Sequence, residues 1–494
     1  MRNKRDQVQA HMFVMGRLTS AMLRAEPDDP ESPTGRTNRG ALTGVIIAVL
    51  VCAGAFVLGL LRPGGNDSWR APGAFVVDEG TGASYLYLDG RLRPVRNYAS
   101  ARLIAGEGMK TVSAGSASLR HAPHGAPVGL PGAPDALPDP ADLDTGPWRV
   151  CAAVRLTAEN TTVPATTLAV GAGPAAGIDG ARGLGAGQGA LVTGPDHAVW
   201  LLWQGTRLRL DRHTGALDAL GYGALTPRPV SAAFLDALPQ GPDLAPPDIP
   251  GRGTAGPRLD GHATEVGQVF RADVPGSAAQ YHLLTEDGLT SLTATRTALV
   301  LADPRTRTTA YDGHTPQAVQ LGAEALTGHQ AKSSGPLGDD DGELPATPPK
   351  ILDASVGQAV CAETESSGAA VRTAVSLLPV TALGMPAQPP GREAGPACLT
   401  VDAITVRPGG GALVRAVGVG GGTLGDTTFL VTDTGVKYRL ASAEAAAALG
   451  YGTGDTRRLP AHLLTMLPTG PDLDRAAAEA GRARTTAGCG TDKR

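Results

Sequence analysis

One uncharged stretch limits what this chain can fold into more than any other feature. Residues 41–61 read ALTGVIIAVLVCAGAFVLGLL and contain no charged side chain. As a helix rising about 1.5 Å per residue, the stretch is roughly 30 Å long, the thickness of a bilayer's hydrocarbon core. A buried soluble helix and a cleaved signal peptide are the alternatives, but about forty residues precede the stretch and no small-residue cleavage site follows it. The sequence therefore predicts an uncleaved transmembrane helix at 41–61.

Arginine and lysine are distributed unevenly about this predicted helix. Only Arg62 and Arg70 follow it closely, whereas seven basic residues precede it: Arg2, Lys4, Arg5, Arg17, Arg24, Arg36 and Arg39. Short segments rich in arginine and lysine stay in the cytoplasm. We therefore expect a single-pass protein of the cytoplasmic membrane, with its N-terminus inside and everything after Leu61 outside the cytoplasm.

The cysteines fit this layout. Cys52 falls inside the predicted helix, and Cys151, Cys361, Cys398 and Cys489 follow it, where disulfides persist. Four cysteines allow three full pairings, and the count alone does not choose between them. Cys151 and Cys361 each end a short apolar run of the form VCA, which favours their pairing and would be worth about 5 kcal/mol in the chain-entropy model. Cys489 lies in a polar tail and is a poor candidate for a structural bond, which leaves Cys398 without a predicted partner.

The N-terminal segment predicts an amphipathic helix that binds a partner. Its apolar residues recur at three- and four-residue steps and include Val8, Met12, Met15, Leu18 and Met22. An isolated helix of this length is marginal in water, so it needs a surface to dock on. The polar face has no lysine-rich strip, which favours a protein partner over lipid; a frayed tail without function is the other alternative.

A repeated unit follows the predicted anchor. Two short apolar runs about a turn-forming glycine predict a β-hairpin at 84–95, 198–210, 279–292 and 428–440. Each is followed by a short helical run, an extended segment and a second short helix. LPQGPDL at 238–244 and LPTGPDL at 467–473 then end two of the units, and we interpret them as helix stops in which glycine takes the left-handed conformation.

These patterns divide the chain into segments. The β-rich stretches between the units are expected to pair across the chain into a central sheet. The predicted boundaries are a cytoplasmic helix and linker at 1–40, the transmembrane helix at 41–61, a linker at 62–74, repeats at 75–135, 191–252, 279–345 and 427–475, core segments at 146–190, 260–278 and 350–425, and a flexible tail at 476–494.

The sequence contains no assembled catalytic or metal-binding motif. A near-neutral net charge of −4 argues against a general nucleic-acid binder. No Gly-Lys-Ser or Gly-Lys-Thr occurs, which excludes a Walker A loop, and GGGTLG at 420–425 precedes a strand instead of following one. His121 and His124 would at most form an incidental metal site, and Asp339–Asp341 predicts a solvated loop or weak calcium binding. No cofactor, metal site or catalytic residue is therefore predicted.

Several segments together resemble one known family. They occur in this order: RDQVQAHMFVMGRL, a single anchor, GASYLYLDGRLRPVRNYASARLI, GLPGAPDALP, VCA, PGGGALVRAVG, FLVTDTGVKYRL, LGYG and LPTGPDLD. From residue 5 to about 480 the chain resembles EccB, the membrane component of the type VII (ESX-like) secretion system.

The resemblance implies a fold and a function. The implied fold is α+β: one N-terminal transmembrane helix, then an elongated extracytoplasmic domain with a β-rich core, a disulfide and four ββα-type repeats. The implied function is a structural subunit for export of small WXG-type helical proteins. Its implied partners are a motor ATPase, a multi-pass membrane component and other copies of itself. The family is also labelled an ATPase and its repeats resemble cell-wall-binding modules, so a nucleotide hydrolase and a cell-wall binder are the alternative functions.

Overall fold

The computed structural model describes residues 4–24, 33–61, 67–211, 213–273, 279–332, 343–367, 370–418, 422–485 and 489. The chain divides into two compact units. The first comprises Met1–Leu92 with Thr111–His124, and the second comprises Arg93–Lys110 with Gly125–Arg494.

The described elements are short apart from the first two helices. The α-helices are α1 Lys4–Arg24, α2 Pro33–Leu61, α3 Tyr98–Ala105, α4 Ser116–Leu119, α5 Ala216–Ala219, α6 Ala232–Asp236, α7 Ala294–Ala302, α8 Pro304–Ala310, α9 Ala323–Gly328, α10 Ala443–Leu449, α11 Ala461–Leu464 and α12 Arg475–Ala480. The strands of the first half are β1 Phe75–Asp78, β2 Ser84–Leu88, β3 Arg91–Pro94, β4 Thr111–Ala114, β5 Trp148–Leu156, β6 Thr162–Ala169, β7 Arg182–Gly183, β8 Gln188–Thr193, β9 Val199–Trp203, β10 Thr206–Leu210 and β11 Arg228–Pro229. Those of the second half are β12 Val269–Ala272, β13 Gln280–Thr285, β14 Gly288–Leu292, β15 Val319–Leu321, β16 Lys350–Ile351, β17 Gln358–Ser367, β18 Ala370–Pro379, β19 Ala403–Thr405, β20 Gly411–Val417, β21 Thr423–Thr432, β22 Lys437–Leu440 and β23 Arg457–Pro460.

Four sheets share one strand order. They are β3-β2-β1-β4, β10-β9-β8-β11, β14-β13-β12-β15 and β22-β21-β20-β23, and in the second of them β16 pairs with β8 as a fifth strand. In each, the first strand along the chain pairs antiparallel with the second. The fourth strand returns parallel to the first. The predicted hairpin supplies the second and third strands, so each sheet contains one strand more at its start than the hairpin pattern indicates.

Local sequence explains the turns and the helix starts. The β2–β3 and β9–β10 turns place Asp89-Gly90 and Gln204-Gly205 at positive φ, as a two-residue hairpin of this kind requires. In three of the four sheets, a polar side chain caps the N-terminus of the helix that follows the hairpin. Asn97, Thr293 and Ser442 each accept a backbone N–H from the first turn of α3, α7 and α10.

The recurring LPxGPDL segment lies along the outer edge of its sheet. In the second sheet Arg207 N donates to Pro239 O at 2.9 Å, Gly241 N donates to Arg207 O at 3.0 Å, and Leu244 N donates to Arg209 O at 2.7 Å. The fourth sheet repeats these bonds in Lys437 N to Pro468 O, Gly470 N to Lys437 O and Leu473 N to Arg439 O. The segment therefore covers a strand edge that would otherwise expose unpaired backbone groups.

Close approach, not helix termination, explains the glycine in this segment. Neither Gly241 nor Gly470 has a positive φ. The prediction that these glycines end a helix by taking the left-handed conformation is therefore wrong. A Cβ on Gly241 would lie 2.6 Å from Leu208 Cδ2, and one on Gly470 would lie 2.1 Å from Tyr438 Cε1. Glycine is needed because any side chain would collide with the strand beneath.

The third sheet shows the same segment in altered form. Leu289 N donates to His329 O at 2.7 Å and Ala331 N donates to Leu289 O at 3.0 Å, which places Ala331 at the glycine position. The strand residue that matches Leu208 and Tyr438 is Thr290, whose side chain is smaller. Relief of the crowding explains why alanine is tolerated in this sheet.

A six-stranded sheet occupies the centre of the second unit, in the order β19-β6-β5-β17-β18-β7. The stretches around 146–190 and 350–425 therefore do pair across the chain. One face of this sheet packs against the short helices α6 and α11, through buried residues that include Val150, Val360, Phe234 and Leu463. The hairpins β5–β6 and β17–β18 each precede one of the sheets that carry LPxGPDL.

Several predicted boundaries shift in the structure. β12 lies in the predicted core segment 260–278 and β20 in the predicted core segment 350–425, but they pair into the third and fourth sheets. Local periodicity missed them because their partners lie beyond a loop. Helix α2 begins at Pro33, inside the predicted linker, and Trp69 of the predicted linker 62–74 is buried in the core of the first sheet. Helix α12 occupies the start of the predicted flexible tail, and its Ala478 is fully buried.

We predict that Gly205→Ala destabilises the second unit by about 1–3 kcal/mol more than Gly221→Ala, because it adds overpacking to backbone strain. Gly205 lies in the β9–β10 turn and Gly221 in the turn after α5, and the two have nearly the same φ, 79° and 80°. A Cβ on Gly205 would lie 1.8 Å from Thr373 O, whereas Gly221 faces open space. Thermal unfolding of the two variants measures the difference. Equal losses of stability would show that the contact with Thr373 is unimportant.

Candidate functional site

One described helix is long and apolar enough to cross a membrane. The span in α2 is Thr37–Val57, 21 residues with a mean hydropathy of 2.4, and none of it is buried inside the protein. The predicted stretch 41–61 lies within the same helix. Cys52 is a free cysteine on its surface. A helix that is apolar on all sides and uncovered by its own chain fits a lipid environment.

Helix α1 presents the predicted partner-binding residues to solvent. Val8, Met12, Met15, Leu18 and Met22 are between 49% and 79% exposed. At 100° per residue these five positions fall within an arc of about 120°, so they form one stripe along the helix. Phe13 is also exposed but lies off this stripe. The structure thus brings the five residues together on one face.

A disulfide joins the two hairpins of the central sheet. Cys151 of β5 and Cys361 of β17 are directly opposite each other in antiparallel strands, with their Cα atoms 4.0 Å apart. Their exposed fractions are 1% and 0%. The pair that the two VCA runs favour is therefore the one that the structure joins, across a sequence separation of 210 residues.

An ion pair lies two residues along from the disulfide, on the same face of the sheet. Arg149 is opposite Glu363, and Arg149 Nη2 lies 2.6 Å from Glu363 Oε2. The carboxylate also accepts Ala175 N, and Arg149 Nη2 donates to Gly173 O. The sequence could have predicted this pair. If Cys151 and Cys361 pair in antiparallel strands, Arg149, two residues before Cys151, lies opposite Glu363, two residues after Cys361.

A second disulfide overturns one prediction. Cys398 is bonded to Cys489, with Cα atoms 5.3 Å apart, although the polar tail made Cys489 a poor candidate. The start of the tail is structured: α12 contacts α3, and Gly129 N donates to Ala478 O at 2.8 Å. Because the described start of the tail packs against the rest of the second unit, the chain passes near Cys398, which lies 91 positions before Cys489.

Lys437 is a buried cation that the sequence pattern did not single out. Its side chain lies inside the fourth sheet at 5% exposure, where Nζ donates to Leu464 O at the end of α11. Burial lowers the pKa of Lys437 to about 8, because the charged form loses its hydration. This side chain therefore subtracts from stability at neutral pH.

The remaining candidates for a metal or nucleotide site are described only in part. His124 stacks edge-on against Tyr85, with ring centroids 5.8 Å apart. The residues Asp339–Asp341 lie outside the described residues, as does part of the 420–425 glycine stretch. Among the described residues no group of three histidine, cysteine, aspartate or glutamate side chains is placed to hold a metal ion.

Comparison with known proteins identifies the family. The family model for the type VII secretion system ESX-1, transport TM domain B (EccB) matches residues 2–486. The ESX-3 secretion system ATPase EccB3 of Mycolicibacterium smegmatis is 32% identical, over 96% of this chain and 90% of that protein. The chain belongs to the EccB family of type VII secretion proteins.

Other relatives and solved structures agree with this assignment. The ESX-2 secretion system ATPase EccB2 of Mycobacterium tuberculosis is 28% identical, over 96% of this chain and 94% of that protein. A chain of an EccB3 dimer from the ESX-3 core complex has a TM-score of 0.63 at 27% identity, covering 82% of this chain and 99% of that one. A chain of an intact ESX-5 inner membrane complex has a TM-score of 0.64 at 23% identity, covering 100% of this chain and 98% of that one, which shows a shared fold.

We predict that Lys437→Met stabilises this EccB protein by about 2–3 kcal/mol at pH 7. The shift in the pKa of Lys437 from 10.5 to about 8 corresponds to roughly that free energy once the contribution of the lost hydrogen bond is subtracted. Between about pH 8 and pH 10.5 the unfolded chain keeps the proton and the folded chain loses it, so the stability of the native sequence rises with pH. The gain should therefore be full below pH 8 and shrink above it. Thermal unfolding at pH 7 and pH 10 measures this, with exposed Lys350→Met as a control that changes little. A loss of stability at both pH values would contradict it.

Proposed function

We propose that this chain is a structural, membrane-anchored subunit of a type VII secretion core complex that supports export of small WXG-type helical proteins across the cytoplasmic membrane. The observation that carries the proposal is the arrangement of the chain. One candidate span joins a single exposed amphipathic helix to several hundred residues of disulfide-containing β structure. Membership of the EccB family supplies the biological context.

Two features support an orientation with α1 in the cytoplasm. The excess of arginine and lysine lies before the candidate span. Both disulfides lie after it, and structural disulfides form in oxidising compartments. The large β-rich part would accordingly be extracytoplasmic.

Site-directed labelling tests this orientation. Met385 is 88% exposed, and Asp6 is exposed on the face of α1 opposite the apolar stripe. In a Cys52→Ala background, we expect Met385→Cys to react with a membrane-impermeant maleimide in intact cells, and Asp6→Cys to react only after lysis. The reverse pattern, or reaction of both in intact cells, would contradict the proposed topology.

The apolar stripe of α1 is proposed to dock on the motor ATPase of the complex, while the multi-pass component surrounds the span. Five apolar side chains exposed on one helix are costly in water, and burying each against a partner would contribute about 1.5–3 kcal/mol. The solved EccB3 dimer comes from the ESX-3 core complex. This supports the proposal that the present chain, a relative of EccB3, is also part of an assembly.

Substitution of the stripe tests the docking. We predict that Met15→Asp with Leu18→Asp leaves membrane insertion intact but reduces co-purification with the motor subunit at least tenfold, because two charges would have to be buried in the contact. Replacing Gln9 and Arg17 on the polar face by serine is the matched control and should change nothing. Co-purification at the native level in the stripe variant would rule out this docking surface.

The four sheets of common strand order are proposed to be repeats of one module that associate with other copies of the chain outside the membrane. Their shared topology and the shared edge-covering segment support this reading. A stand-alone cell-wall binder is the rival that such modules suggest. Pull-down with purified peptidoglycan distinguishes them, since a scaffold that acts only through protein partners would not sediment with it.

An enzymatic role is the second candidate, because the relatives carry the word ATPase in their names. The sequence contains no Gly-Lys-Ser or Gly-Lys-Thr, the pair on which a Walker A loop depends. In the proposed function, energy for transport therefore comes from the motor subunit. ATP turnover by the purified chain, free of that subunit, would favour the enzymatic candidate.

A further inference from the structure

The second and fourth sheets carry a pocket at the same position of the module. Matching backbone bonds make Arg209 equivalent to Arg439, and the two pockets are lined by these residues and by the strand ends and loops beside them. The pocket of the second sheet has a volume of about 400 Å³ and that of the fourth about 430 Å³. Either has room for a ligand of one or two amino-acid residues.

The pocket of the fourth sheet combines two guanidinium groups with hydroxyls and a small apolar floor. Arg415 and Arg439 line it together with Asp426, Thr428 and Ser442. The floor is made by Leu413, Leu440 and the alanines at 441, 443 and 446. A pair of guanidinium groups beside small aliphatic side chains suits a carboxylate carried on a small apolar group.

The two arginines differ in how well they are neutralised. Arg439 Nη1 lies 3.0 Å from Asp472 Oδ2, a buried carboxylate, so this arginine is held in place. Arg415 Nη1 lies 3.8 Å from Asp426 Oδ1, beyond hydrogen-bond distance, and the Asp426 side chain is 96% exposed. A carboxylate in the pocket would give Arg415 a directed partner in place of a solvated and distant one.

The pocket of the second sheet has the opposite character. Among the described residues that line it, Arg209 is accompanied by three carboxylates, Asp196, Asp211 and Asp243, and by two histidines. An anion placed there would meet three like charges, which is unfavourable even in a solvated site. Among the described lining residues, arginines outnumber carboxylates in the fourth-sheet pocket, whereas carboxylates outnumber arginines in the second-sheet pocket.

We propose that the fourth-sheet pocket binds the C-terminal carboxylate of a peptide that ends in a small aliphatic residue such as alanine. Arg415 is the specificity-determining group, Arg439 is a fixed second cation, and the alanine floor accepts the terminal methyl group. This ligand site is independent of the proposed role as a secretion scaffold, because it depends only on the folded fourth sheet.

Binding of matched peptides to the full chain in detergent tests the proposal. The probes are a dipeptide, N-acetyl-alanyl-alanine, as the free acid and as the C-terminal amide, together with inorganic phosphate, all followed by calorimetry. We expect saturable binding of the acid at least tenfold tighter than of the amide and of phosphate. Equal binding of acid and amide would overturn the proposal, as would absence of saturable binding or tighter binding of phosphate.

Variants locate the site. Arg415→Gln should weaken binding of the acid at least tenfold, whereas Arg209→Gln in the equivalent pocket should change it less than twofold. Ala446→Met tests the floor without removing a charge: methionine suits a helix and would fill the pocket, so it should also abolish binding. Native affinity in both Arg415→Gln and Ala446→Met would place any bound peptide elsewhere and refute the assignment.

Discussion

The pairing of β5 with β17 is the contact on which the second unit depends. It brings together two hairpins that lie about two hundred residues apart in the sequence. Closing a loop of that length costs conformational entropy, which native contacts offset only after the loop has closed. Two neighbouring residue pairs on one face of the sheet stabilise this pairing: the Cys151–Cys361 disulfide and the buried Arg149–Glu363 ion pair. The disulfide reduces the entropy of the unfolded chain. The ion pair fixes register, because a slip by one residue would leave a buried arginine without its carboxylate.

The same pairing organises the order of elements along the chain. A sheet of the shared strand order, a long hairpin and a second such sheet occur twice in succession, and the disulfide lies where the two hairpins meet. The opposite face of the central sheet is covered by α6 and α11, which belong to the two sheets that follow the hairpins. The LPxGPDL segment comes directly after these helices. It leads the chain back along an exposed edge and so removes the aggregation hazard of an unpaired strand.

How much of this the sequence reveals depends on the range of the interaction. Hydropathy alone predicts the candidate span, and Asp89-Gly90 is enough to predict the β2–β3 hairpin, because both signals are local. The resemblance to EccB is confirmed by the family match, and the recurrence of VCA pointed to the right cysteine pair. The first strand of each sheet was missed, because β12 and β20 are recognisable only by partners across a loop. Cys489 was misjudged for a similar reason, since polarity of a tail says nothing about the surface onto which it folds.

The four sheets share a fold but differ in the residue at one position of their edge strands. At the edge-strand position bonded to the covering segment, the first and third sheets have Leu92 and Leu289, whereas the second and fourth have Arg207 and Lys437. Arg207 pairs with Asp236 at the end of α6, and Lys437 donates to Leu464 O at the end of α11. The basic residues therefore occur in the two modules whose short helices pack on the central sheet. There each one binds an acceptor at the end of a short helix. The basic residue thus follows the place of the module in the molecule and not the requirements of its own sheet, and at Lys437 its burial lowers stability at neutral pH.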